Sequence, residues 1–131
     1  MCWKKNVIGG VLFLVVLGFV AIACAKDMKI AVAADIPEQG ATISKVGARA
    51  NCFLFYDAKG NFLEAIKNPN ANVTGGMGKI TADFLNKNNV TVFVSEKIGK
   101  KMQNALKMYQ IKYIEQTGGT DEAVKSIIQN Q

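Results

Sequence analysis

Residues 28–34 read Met-Lys-Ile-Ala-Val-Ala-Ala, "MKIAVAA". The run is short, apolar and rich in small and β-branched side chains. A strand of this kind is covered on both faces and belongs at the centre of an α/β sheet. Everything else in the 131-residue chain is arranged around it.

Upstream lies an apolar leader. Lys4 and Lys5 precede Val7–Ala25, which carries no charge. A basic start, an apolar middle and small residues at the end are the pattern of an export signal. Three fates stay open. Ala23-Cys24-Ala25 offers a cleavage site, Ala21-Ile22-Ala23-Cys24 resembles a lipobox that would lipidate Cys24, and retention would leave a transmembrane helix. About 19 residues at about 1.5 Å each span about 28 Å, close to a bilayer core. With Lys4 and Lys5 inside, the rest of the chain is exported in each case. Residues 1–25 are therefore expected to be a signal peptide or membrane anchor. Residues 28–131 are the folded domain, placed in the cell envelope or on the periplasmic side, soluble or anchored.

Downstream, residues 35–51 contain Pro37, Gly40 and Gly47 and show no clear period. A loop this long in a small domain is functional or mobile. Cys52–Tyr56 and Phe62–Lys67 read as a hairpin around Asp57–Asn61, with Gly60 for positive φ. Residues 68–78 form a second loop, and Lys79–Asn88 a helix. Residues 90–95 are a buried strand. Lys100–Tyr109 is a helix with Met102, Ala105, Leu106 and Tyr109 on one stripe. Residues 111–115 are the last strand. A final helix spans 121–129, with Thr120 as its N-cap and Asp121 and Glu122 in its first turn. The order β-β-β-α-β-α-β-α predicts a five-stranded mixed sheet in spatial order 3-2-1-4-5 with about three helices, built by a meander and two right-handed crossovers.

This topology sends the loops after strands one, three, four and five to one sheet edge, together with Arg49 and Cys52 before strand two. Ligands of open α/β sheets gather at that edge. Three helices start there, each with unpaired first-turn N–H groups and partial positive charge. Gly75, Gly76, Gly78, Gly99, Gly118 and Gly119 allow close approach to backbone, and Arg49, Lys79, Lys97 and Lys100 add charge. Such a cup suits a small anion.

Other chemistries are excluded or poorly served. The stretch 72–81, Asn-Val-Thr-Gly-Gly-Met-Gly-Lys-Ile-Thr, is not a P-loop: Val73 stands where its first glycine belongs and Ile80 where its Ser/Thr belongs. The chain has no histidine, which removes His-based triads and metal sites. Cys2 and Cys24 fall in the leader, so the domain has Cys52 alone and no internal disulfide. From Lys26 onward 14 Lys/Arg stand against 10 Asp/Glu, scattered and without a nucleic-acid motif. A hydrolase would need clustered carboxylates for metal ions. Asp35 and Asp57 fall at opposite edges. The pattern reads as binding, not catalysis.

Several stretches resemble the dinitrogenase iron–molybdenum cofactor biosynthesis family over about residues 28–129. "MKIAVAAD" is similar to its first strand. "ISKVGARANCFLFYD", residues 43–57, is similar to its V-S-x-H-F-G-R-A-P-Y-F-x-x-Y-D stretch at Ser44, Arg49, Ala50, Phe53, Tyr56 and Asp57. "GGMGKITADFL" resembles its glycine turn, and Ile98-Gly99, Ala105-Leu106 and Gly118-Gly119-Thr120 its close. The resemblance implies a ribonuclease H-like fold and a non-enzymatic domain that binds or carries an iron–sulfur or iron–molybdenum type cluster. Ser44, Arg49, Gly75, Gly76, Gly78, Lys79, Gly99, Gly118, Gly119 and Thr120 would form the ligand site, with Cys52 as a candidate metal ligand. Two departures stand out. Val46-Gly47-Ala48 replaces His-Phe-Gly, and Asn51-Cys52 replaces Pro-Tyr. The expected partners are a small anionic ligand or metal cluster and, through the leader, the membrane. No nucleic acid is expected. The alternative is an envelope scaffold or sensory module of the same fold that meets a protein partner without ligand.

Overall fold

The computed structural model describes residues 27–131, so the leader and Cys24 lie outside the described residues. Five strands form one sheet: β1 (Ile30–Ala34), β2 (Cys52–Tyr56), β3 (Phe62–Lys67), β4 (Val92–Ser95) and β5 (Lys112–Glu115). Their spatial order is β3-β2-β1-β4-β5, as the sequence predicts. β2 runs antiparallel to both β1 and β3, while β4 lies parallel to β1 and β5 parallel to β4.

Period-two alternation divides the core between the two faces. Ala31, Ala33, Phe53, Phe55 and Phe93 face helices α1 (Met77–Lys87) and α2 (Lys100–Met108), which contribute Leu85, Met102 and Leu106. Ile30, Val32, Ala34, Leu54 and Val94 face α3 (Thr120–Gln129), which contributes Ala123 and Val124. Side-chain size is complementary across strands. Ala31 sits in register with Phe55 on one side and Phe93 on the other, and Ala33 with Phe53. The small central residue leaves room for the large neighbours, and Phe53 packs edge-on to Phe93 at 6.0 Å.

β1 opens at Ile30, two residues into the expected run, and two later strand starts differ from the sequence reading for one reason. Val90 and Ile111 terminate helices instead of opening strands. After α1, Asn89 takes φ 63° and Val90 N–H donates to Leu85 O. After α2, Gln110 takes φ 59° and Ile111 N–H donates to Leu106 O. Both are Schellman closures, in which an apolar residue beyond the left-handed position packs back on the helix. Both residues are buried.

α1 starts at Met77, two residues earlier than expected, so Met77 and Gly78 are helical and not loop, while Lys79 is helical as expected. α3 includes Thr120, and its N-cap is Gly119, which corrects the expected Thr120 cap. The Thr120 side chain turns inward and is fully buried. Among the described residues no helix is long and apolar enough to cross a membrane.

Candidate functional site

The four loops meet at the carboxyl edge, and hydrogen bonds tie them together. The segment 41–47 crosses that edge. Ser44 N–H donates to Ala33 O at 2.8 Å, at the end of β1. Glu96 N–H donates to Ser44 O at 3.0 Å and Gly47 N–H to Lys97 O at 3.0 Å, which holds the β4–α2 loop. Ile43 N–H donates to Gly118 O and Thr120 N–H to Ala41 O, both at 2.9 Å, which holds the β5–α3 loop. The long loop is thus a strap that uses up backbone groups at this edge.

Buried side chains secure the remainder. Asn68 is 4% exposed; its Nδ2 donates to Ala50 O at 2.9 Å and Ala48 O at 3.2 Å, and its Oδ1 accepts from Asn70 N–H. Thr81 Oγ1 donates to Ala48 O at 3.1 Å. Ser95 Oγ, also buried, donates to Ser44 O at 3.2 Å. These three were not singled out in the sequence. Asn68 carried a signal in Asn68-Pro69-Asn70, since Asn before such a turn bonds its own backbone two residues on. Thr81 and Ser95 carried none.

The predicted site residues separate into three groups. Ser44, Thr120 and Cys52 face inward. Ser44 Oγ donates to Val46 O, inside the strap. Thr120 Oγ1 is buried without a hydrogen-bond partner, although it lies close enough to the Tyr56 hydroxyl to favour that phenol's ionised form. Cys52 is 1% exposed, packs on the α3 face, and its thiol donates to Ala34 O at 3.4 Å. Burial first, and then the nearby Asp35 carboxylate, push its pKa up, so the thiol stays protonated.

A second group serves packing or turns. A Cβ at Gly78 would lie 2.8 Å from Met102 N, so this glycine lets the start of α1 press onto the first turn of α2. Gly118 has φ 108° and its carbonyl holds the strap. Gly119 is bridged to Thr42.

The third group remains exposed where α1 and α2 begin: Arg49, Gly75, Gly76, Lys79, Gly99 and Lys100. Gly75 and Gly76 take φ 78° and 68°, and nothing stands within 4 Å of a Cβ built at Gly75 or Gly99. All three helices have glycine N-caps (Gly76, Gly99, Gly119) and no side-chain cap. They differ in what lies nearby. α3 carries Asp121 and Glu122 in its first turn, whereas α1 and α2 carry no acid there. The approach to α2 is partly taken, since Glu115 Oε2 accepts from Ile98 N–H at 2.9 Å.

The whole edge is less basic than four named cations suggest. Asp35, Glu38, Glu96, Glu115, Asp121 and Glu122 share it. Lys45 and Lys67 also lie at this edge, and Arg49, Lys79 and Lys100 stand at the α1/α2 corner, where the strap brings Arg49 beside Ala48, the acceptor for Thr81 of α1. Among the described residues no group of three or more His, Cys, Asp or Glu could hold a metal ion. A 350 Å³ groove lined by Lys79, Lys101, Asn104 and Tyr109 runs between α1 and α2 next to this corner.

The chain is a three-layer α/β domain with its loops strapped together at one sheet edge. Residues 28–130 match the model of the family described as dinitrogenase iron-molybdenum cofactor, and the chain belongs to that family. Its structure is similar to the apo form of the orange protein from Desulfovibrio gigas, with 26% identity and TM-score 0.72 over 82% of this chain and 92% of that one. It is also similar to a NifB-like protein from Thermotoga, with 23% identity and TM-score 0.64 over 79% and 88%. A dinitrogenase-like protein from Methanocaldococcus jannaschii shares the fold at 15% identity and TM-score 0.51, over 79% and 90%. No curated protein matches the chain by sequence. The family points to a small cofactor-binding or carrier domain associated with an iron–molybdenum cofactor.

Proposed function

We propose that this chain is a non-enzymatic carrier, exported or membrane-attached, for a small metal–sulfur anion bound at the start of α1 and α2. The observation that carries this reading is the pairing of two glycine-capped helix starts, free of first-turn acids, pressed together through Gly78 and Met102. First-turn amides and the partial charge of each helix favour an anion there by about 0.3–1 kcal/mol per helix. Exposed Arg49 and Lys100 supply formal charge.

The donor set decides which kind of cluster fits. A cluster that needs protein thiolates or imidazoles is not served by the described residues, because the chain has no histidine and Cys52 is buried, protonated and hydrogen-bonded. An anion whose metals are already saturated by sulfide fits, since it asks only for N–H donors and cations. Cys52 is therefore left out of the ligand set.

Tetrathiomolybdate serves as the probe. It should raise Tm in a concentration-dependent way, and Arg49→Ala with Lys100→Ala should remove most of the shift. Cys52→Ala should give the same tetrathiomolybdate shift as wild type. A Tm that ignores tetrathiomolybdate, molybdate and phosphate alike would favour the scaffold reading, for which the strap's hydrogen bonds make a rigid docking edge.

A further inference from the structure

The charge that the carboxyl edge lacks is found at the opposite end. Lys29 precedes β1, Lys59 lies in the β2–β3 turn, Lys87 ends α1, Lys107 is in the last turn of α2, and Lys112 opens β5. All five stand at the amino edge, and all except the half-buried Lys29 are exposed. Lys29 and Lys112 are linked through Thr91: Thr91 N–H donates to Lys29 O and Lys112 N–H to Thr91 O, both at 2.9 Å.

The acids at this end are Asp27 and Asp57, and Asp57 is already engaged. Its carboxylate accepts from Lys59 N–H and Asn61 N–H, each at 2.9 Å. Asp83, midway along α1, is bound by the Tyr109 hydroxyl. The basic excess of the described domain therefore sits almost wholly at the amino edge, as an end face of four exposed lysines.

The chain enters this same face. Asp27, Met28 and Lys29 line one surface depression with Asp57 and Asn89, and the uncharged stretch Val7–Ala25 ends two residues before Asp27. A lipid surface that held the leader would meet the amino edge first.

We propose that the amino edge is a membrane-facing surface that lies on anionic lipid headgroups, so that the carboxyl edge and its ligand corner point away from the bilayer. Anionic lipid attracts juxtamembrane lysines within about a Debye length, about 10 Å at 0.1 M salt. The proposal rests on a retained or lipidated leader, and it holds whatever the carboxyl edge binds.

The test uses the full chain in vesicles, either phosphatidylcholine alone or phosphatidylcholine with phosphatidylglycerol. A water-soluble amine-acylating reagent is added and each lysine is followed by mass spectrometry. With phosphatidylglycerol, Lys59, Lys87, Lys107 and Lys112 should react several-fold more slowly than Lys97 and Lys100, and high salt should abolish the difference. The combination Lys59→Gln, Lys87→Gln, Lys112→Gln changes exposed residues only. It should leave Tm unchanged and return Lys107 to the rate seen on phosphatidylcholine. Equal rates at the two edges, or equal protection on neutral vesicles, would overturn the proposal and leave these lysines as complements to helix carboxyl ends. The tetrathiomolybdate shift is read at Arg49 and Lys100, so failure of one reading is distinguishable from failure of the other.

Discussion

Gly78 and Cys52 show how one residue's surroundings decide its role. Gly78 stands in a glycine-rich stretch that reads as a ligand loop, yet its missing Cβ is what lets two helices touch. Gly78→Ala would force a methyl to 2.8 Å from backbone nitrogen, which has no rotamer to yield. We expect a loss of about 1–3 kcal/mol, measured by urea unfolding. Cys52 reads as a soft ligand at a strand start, but its register with Ala34 turns the thiol into the α3 face. A folded protein should alkylate at Cys52 far more slowly than in urea, as followed on the Cys52 peptide.

Tyr56 and Cys52 also set an alkaline limit. Burial pushes the Tyr56 phenol up, and the Asp121 carboxylate that accepts its hydrogen bond adds to this. Both groups have folded pKa values above their ordinary values of 10.0 and 9.0. The folded state therefore holds these protons more tightly than the unfolded chain. The associated stability is complete below pH 9 and is lost as pH rises through the folded pKa values. Tm should fall above pH 9. Tyr56→Phe should lower Tm at neutral pH by the equivalent of about 1 kcal/mol and flatten part of that alkaline decline.

At the scale of elements, helix ends and the strap organise the site. Asn68 joins the loop before α1 to residues 48–51 through a buried amide. Asn68→Ala would leave the Ala48 and Ala50 carbonyls short of a donor and release the loop carrying Gly75 and Gly76. Loss of a buried bonded group of this kind destabilises by about 1–3 kcal/mol. Amide exchange should rise in 68–76 ahead of the sheet. The hairpin was legible residue for residue, because strand alternation and the Asp57–Asn61 turn are local signals. The starts of β4 and β5 were not, because Val90 and Ile111 look like strand residues until the left-handed Asn89 and Gln110 are seen. Thr120 was misplaced by one position for a similar reason: Gly119 can cap equally well, and burial of the threonine follows from packing on Tyr56.

For the whole molecule, both cores close within residues 27–131. The domain without its leader should unfold in one cooperative step, with tyrosine fluorescence and far-UV circular dichroism coinciding in urea. Distinct transitions on the α1/α2 and α3 faces would contradict that.

The sequence by itself determined the strand order, the shared edge of the loops and the family. The first two follow from apolar period, turn residues and connection handedness, which act over a few residues or through general rules of chain connection, and the family from the likeness of residues 43–57 and the glycine turns to its motifs. Only the tertiary structure decided which edge groups remain available. The strap's hydrogen bonds, the inward turn of Ser44, Thr120 and Cys52, and the gathering of acids beside the expected cations depend on residues distant in the chain. Charge and hydrogen-bond capacity at a site are sums over neighbours in space, and those neighbours are fixed only when the sheet has formed.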